Sequence, residues 1–157
     1  MKRIFDKICI KWILLSELVG IASGLLSMRG MQIYQATAQK PPITPPGWVF
    51  PVVWSILYAL MGIGMCMVVK SNSISSKSHC VNLFIAQLIV NFFWSLIFFN
   101  TQAFAGVLLW IFLLVFLVLL MTLCFAKTNI LAAWLQVPYL IWLVFAACLN
   151  AMVWLLN

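Results

Sequence analysis

Apolar residues run along this chain in five long blocks. They cover about residues 8–28, 48–69, 80–100, 104–126 and 131–155. Each approaches the ~20 apolar residues that an α-helix needs to cross a bilayer. The connectors are a long one at 29–47, a serine-rich one at 70–79, and two very short ones. Short connectors force antiparallel neighbours. The pattern therefore predicts an all-α integral membrane protein, a single five-transmembrane-helix bundle over residues 1–157 with no second domain.

The polar positions inside the blocks carry the next level of information. The first block has Ser16, Gly20 and Gly24 at four-residue spacing, with Ser23 and Ser27 beside them. Small residues at that spacing let two helix backbones approach closely. Packing inside the bundle and packing in a homodimer both fit. Glu17 lies in the same block, where an ionisable group is a functional candidate by default. Pairing with Lys11 and a role in a pocket are the two readings. In the second block Pro51, Trp54 and Tyr58 share a face. In the third, Gln87, Asn91, Ser95, Phe98 and Gln102 form a polar stripe. In the fifth, Tyr139, Trp142, Ala146 and Asn150 line up, with Pro138 just before them as an expected kink. Lipid cannot satisfy an amide, so Asn91 and Asn150 must point inward. Convergence of these three faces predicts an apolar, aromatic-lined cavity suited to a large flat ligand.

The connector before the second block is unusual. Pro41, Pro42, Pro45 and Pro46 fall within six residues, and Gly47 follows. Each proline fixes its own φ and pushes the residue before it toward extended geometry. Residues 29–47 are thus expected to form a stiff lid.

Composition narrows the function classes. Of 157 residues, 66% are hydrophobic and 7% charged, against roughly 25% charged in soluble domains. The acids are Asp6 and Glu17 alone, which removes paired-carboxylate chemistry and most hard-metal sites. The net charge of +7 is spread over block-flanking positions, so it is a membrane-anchoring pattern and not a nucleic-acid footprint. Lys2, Arg3, Lys7, Lys11, Lys70, Lys77 and Lys127 fall on one side, and Arg29 and Lys40 on the other. The positive-inside rule then places the N-terminus in the cytoplasm, with the lid and the C-terminus outward. Cys9, Cys66, Cys80, Cys124 and Cys148 are widely spaced, with His79 the lone histidine. They read as small buried apolar residues, and no metal site is expected. Trp110, Trp134 and Trp154 fall near block ends, as interfacial anchors do.

The stretches Lys40–Tyr58 (KPPITPPGWVFPVVWSILY), Asn91–Phe99 (NFFWSLIFF) and Ala133–Asn157 together resemble the TspO/MBR family, which includes the tryptophan-rich sensory proteins and translocator proteins. The resemblance implies a five-helix bundle, commonly a homodimer in the cell membrane, with a pocket capped by the first loop. It implies binding of porphyrins, haem-type tetrapyrroles and drug-like aromatic ligands, with no cofactor required. It assigns the pocket to Tyr34, Trp54, Tyr58, Asn91, Trp142 and Ala146, beside Phe98 and Tyr139 from the helix faces above. Some bacterial members resemble enzymes that degrade protoporphyrin IX with light and oxygen, which would make Trp54 and Trp142 catalytic. Ile33-Tyr34 departs from the family's Trp-Tyr pair. The terminal LNAMVWLLN lacks the Tyr and Arg of the sterol-recognition stretch of animal members.

Overall fold

The computed structural model describes residues 6–72 and 77–157. Lys2 and Arg3, counted for orientation above, lie outside them. Five helical spans are long and apolar enough to cross a membrane. The elements are α1 (Lys7–Thr37), α2 (Val49–Lys70), α3 (Lys77–Leu96), α4 (Phe104–Thr128), α5 (Ile130–Trp134) and α6 (Val137–Leu156). A π-helical turn, Ile97–Thr101, continues α3.

Three boundaries differ from expectation. The helix α1 runs on to Thr37, so residues 29–37 belong to a helix and the lid begins at Ala38. The π-helical turn stops at Gln102, whose φ of 52° is left-handed, so Gln102 ends the polar stripe outside the helix. The fifth span is two helices. Asn129 caps α5 by accepting from the Leu131 and Ala132 amides at 3.0 and 3.2 Å, and the chain turns at Leu135–Gln136 before α6. Pro138 sits in the first turn of α6. Its missing N–H has no intrahelical role there, so it starts a helix where a kink was expected.

The start of α1 and the end of α2 are tied. Asp6 accepts from the Ile8 and Cys9 amides, both at 3.1 Å, as an N-cap. Its other oxygen meets the Lys70 ammonium at 2.6 Å. The Lys70 hydrogen bond, helped by the two amides, holds the Asp6 carboxyl below the usual carboxylate range. This exposed contact is thus present at neutral pH and is lost as acid protonates Asp6. Lys70 takes the acid of α1 that lies outside the span, and Lys11 is exposed and forms no ion pair with Glu17 among the described residues.

Small residues bring α1 onto its neighbours. A Cβ on Gly62 would stand 2.5 Å from the Ile13 Cα, and a Cβ on Gly20 would overlap the Tyr58 ring. Ser23 donates to the Phe92 carbonyl at 3.1 Å, and Ser27 meets Ser95 at 2.9 Å. The stripe of small residues therefore packs α1 on α2 and α3 within one chain. Within that stripe, Gly24 faces open space. Trp110 also turns inward, donating to the Val90 carbonyl at 2.8 Å and pinning α4 to α3. Trp134 and Trp154 stay exposed, as anchors should.

The cysteines correct the reading of them as simple apolar residues. Cys9 bonds Cys66, and Cys80 bonds Cys124, with Cα–Cα separations of 4.9 and 5.6 Å. One bridge joins α1 to α2 and the other α3 to α4, both at the end that carries Asp6 and Lys70. Cys148 is free and exposed. Asp6, Cys9 and Cys66 do gather within 4.8 Å, but the sulfurs are joined and the carboxylate is engaged by Lys70 and two amides.

Two outcomes follow. Gly62→Ala forces Cβ against backbone that cannot yield, so it destabilises the bundle by about 2 kcal/mol or more, whereas Gly24→Ala is near neutral; thermal denaturation in detergent measures both. A maleimide applied to the unfolded, unreduced protein labels Cys148 alone, and after reduction it labels all 5 cysteines, as intact mass reads directly.

Candidate aromatic site between three helices

The faces expected to converge do meet. Trp54 of α2 lies 5.5 Å from Tyr58, 6.3 Å from Trp94 of α3 and 6.0 Å from Tyr139 of α6, ring centre to ring centre. Trp94 stacks on Phe98 at 5.5 Å and 23°. Phe98 in turn meets Tyr34 at 5.3 Å. Trp54 thus joins two cores, one at the basic end and one at the lid end. Trp54 is itself half-buried.

A buried polar chain runs beside these rings. The Tyr139 hydroxyl donates to Gln87 Oε1 at 3.0 Å and accepts from Asn91 Nδ2 at 3.1 Å. Tyr58 is buried with its ring against Trp54. Gln87 Nε2 points to the Met61 sulfur at 3.6 Å. The stripe on α3 thus reads its partners from both α2 and α6. Side chains in lipid have no water to fall back on, so this pairing fixes how the three helices face one another.

Other expected residues are placed differently. Tyr34 belongs to the last turns of α1, not to a loop, and is buried against Phe98, Phe99 and Phe104. Trp142 lies one turn beyond Tyr139 and makes its ring contacts with Phe50 and Phe145 at 5.8 and 5.4 Å. It borders the cluster without facing Trp54. Ala146 is buried in the lid-end core with Trp94. Trp94 was missed by the sequence reading. The signal was available, because it lies three residues from Asn91 and four from Phe98 on one face, but attention to polar residues passed over it.

The expected cavity is closed by these rings. Trp94, Phe98, Tyr139 and Asn91 are all buried against one another. The protein does carry two apolar grooves, of about 260 and 310 Å³, on its outer flanks between α1 and α3 and between α4 and α6. None of the ring residues above lines either groove.

The lid covers the same end. Pro41 is buried, while Pro42, Pro46 and Gly47 are exposed and Pro45 is half-buried. Asn157 latches the lid to α6. Its Nδ2 donates to the carbonyls of Gln39 and Val153 at 3.0 and 2.9 Å, and its Oδ1 accepts from the Gln39 amide at 2.9 Å.

Comparison with known proteins agrees with this arrangement. The model of the TspO/MBR family matches residues 12–155. The chain belongs to the TspO/MBR family. It is 38% identical over 148 residues to the tryptophan-rich protein TspO of Chlorobaculum tepidum, covering 88% of this chain and 89% of that protein. It is 34% identical over 139 residues to the tryptophan-rich protein TspO of Archaeoglobus fulgidus, covering 88% and 90%. It is also 34% identical over 123 residues to the translocator protein of Bos taurus, covering 77% and 73%. Membership and the five apolar spans make the chain a multi-pass membrane protein.

Tyr139→Phe tests the polar chain. It leaves Asn91 and Gln87 without their shared hydroxyl and lowers stability by about 1–2 kcal/mol. Thermal denaturation checks this, and a double-mutant cycle with Gln87→Leu should show strong coupling.

Proposed function

We propose that this protein is a membrane receptor for porphyrins and related tetrapyrroles. The observation that supports this most directly is the position of Trp54. It stands between two aromatic cores, beside the Asn91–Tyr139 pair, with Trp142 one turn away on the facing helix. A planar macrocycle offers two large faces to such rings and gains by stacking on them. Asn91 supplies a polar handle at the edge of the stack. The short proline-rich lid covers the outward end, and its prolines reduce the ordering that closure demands.

The rings that form this site also fill it. A guest must therefore bind a minor, opened state, moving Trp94, Phe98 or Trp142 aside. Its observed affinity is reduced by the rarity of that state. Opening is cheapest at the lid, where Asn157 and Lys40 make a few surface hydrogen bonds. The positive charges orient the lid away from the cytoplasm, in the cell membrane.

The test is a titration of the protein in lipid nanodiscs with protoporphyrin IX, followed by the Soret band of the porphyrin. Saturable binding is expected. Trp54→Phe weakens it about tenfold, the scale of one lost stacking contact. Trp134→Phe, on the outer surface, leaves it unchanged. Wild-type affinity in the combined Trp54→Phe/Trp142→Phe variant overturns the proposal.

A further inference from the structure

The two disulfides of this bundle differ in what stands beside them. The Cys9 and Cys66 sulfurs have a carboxylate for company, and an Asp6 oxygen lies within 4.8 Å of both. The two cysteines are buried at the contact of α1 and α2, whereas the Asp6 side chain is 41% exposed. Among the described residues, Cys80 and Cys124 gather no third group of that kind. Cys80 Sγ stands 3.7 Å from the Thr128 hydroxyl instead.

The facing of Cys9 and Cys66 does not depend on the bond between them. Ile13 follows Cys9 by four residues, and Gly62 precedes Cys66 by four. The Ile13–Gly62 contact therefore sits one turn further along the same helix pair. A Cβ on Gly62 would stand 2.5 Å from the Ile13 Cα, so close approach of the two backbones there keeps the sulfurs opposed once the bond is broken. Asp6 also has capacity to spare. A carboxylate offers about four lone-pair sites, and the Ile8 amide, the Cys9 amide and the Lys70 ammonium occupy three of them.

We propose that reduction of Cys9–Cys66 opens a site for a zinc-like divalent ion, held by two thiolates and the Asp6 carboxylate. The basic end of the bundle then carries either a disulfide or an ion. A dithiol reductant passes two electrons and two protons to the bridge and itself becomes a disulfide. The ion replaces the two thiol protons, which leave to solvent. Thiolate and carboxylate donors suit zinc. Two thiolates on one zinc stand about 3.8 Å apart, so each sulfur moves by only about 1 Å. The exposed side of Asp6 leaves a fourth position to water, as in zinc sites with three protein ligands. Lys70, 2.6 Å from Asp6, steadies the carboxylate as outer partners of metal ligands do. Its positive charge, with that of the ion, balances the two thiolates and the carboxylate. A half-buried cluster of zero net charge avoids the cost of an unpaired one.

Cobalt(II) tests this, because its thiolate complexes absorb where the free ion does not. Untagged protein in nanodiscs is reduced with a water-soluble phosphine, which becomes the phosphine oxide, and is freed of it without air. Intact mass after alkylation then confirms that the Cys9–Cys66 bridge has opened. Cobalt should raise a sulfur-to-metal charge-transfer band that saturates at one ion per chain, and zinc should abolish it. Unreduced protein should show no band. Asp6→Asn keeps the helix cap and should weaken cobalt binding by about tenfold or more. The band should survive in Cys80→Ser/Cys124→Ser and vanish in Cys9→Ser/Cys66→Ser. A bridge that stays closed overturns the inference, as does reduced wild type without the band. So does a band that outlasts the loss of Cys9 and Cys66, or cobalt affinity unchanged by Asp6→Asn. Should the Cys9→Ser/Cys66→Ser protein fail to fold, Asp6→Asn and unreduced wild type decide, since both retain the two cysteines.

Discussion

The hydroxyl of Tyr139 is the point on which the bundle's inner geometry depends. It stands between an acceptor, Gln87, and a donor, Asn91, that lie one helical turn apart on α3. A phenol satisfies both only from one height and one direction. Apolar contact cannot set that register, because lipid-facing and core-facing Leu, Ile and Val are nearly interchangeable along these spans. The hydroxyl fixes α6 against α3, and Gln87 carries the constraint on to Met61 and α2. Gly20 then admits the Tyr58 ring and brings α1 in. Four of the five spans are thereby referred to one small polar cluster.

That cluster explains why the aromatic rings close over the site. Trp54 and Trp94 are held beside Tyr139 by the same helix register that satisfies the amides. The rings fill the space with one another, since aromatic pairs are favourable at these distances. The polar groups in the middle of the site, on Gln87, Asn91 and Tyr139, are paired. Those nearest the lid, at Trp94 and Asn150, are not. The site is thus paired at its middle and unsatisfied toward the lid, under a strap held by Asn157.

Much of this was legible in the chain. Five apolar blocks located the spans, because lipid permits few alternatives to a continuous helix. The alignment of Gln87, Asn91, Tyr139 and Trp54 on helix faces indicated which faces meet, because an amide in a greasy helix has to face protein. Three things were not legible. The helix α1 continues through Arg29–Thr37, a polar stretch that apolar counting discards, because Tyr34 is anchored by Phe98, Phe99 and Phe104 from distant parts of the chain. The break before Pro138 depends on Asn129 capping a separate short helix. The cysteine pairs depend on which helices are neighbours, which spacing alone does not encode.

The bridges raise a point about the two ends of the molecule. Both lie at the end that carries Asp6 and Lys70. Reduction would leave Cys9 and Cys66, and Cys80 and Cys124, as two pairs of neighbouring thiols. The contacts that remain there are the Asp6–Lys70 pair, the Gly62–Ile13 backbone approach and the buried Met61, Met65 and Met121. Close packing of that quality needs no covalent staple to hold the helices together. Sequence separations of 57 and 44 residues would make such bridges worth most in a chain that unfolds fully in water. Spans that stay inserted in lipid never reach that state, so here the bridges add little that the packing does not already supply. The basic end is therefore held by close packing beneath its bridges, whereas the lid end is tied by the hydrogen bonds of Asn157.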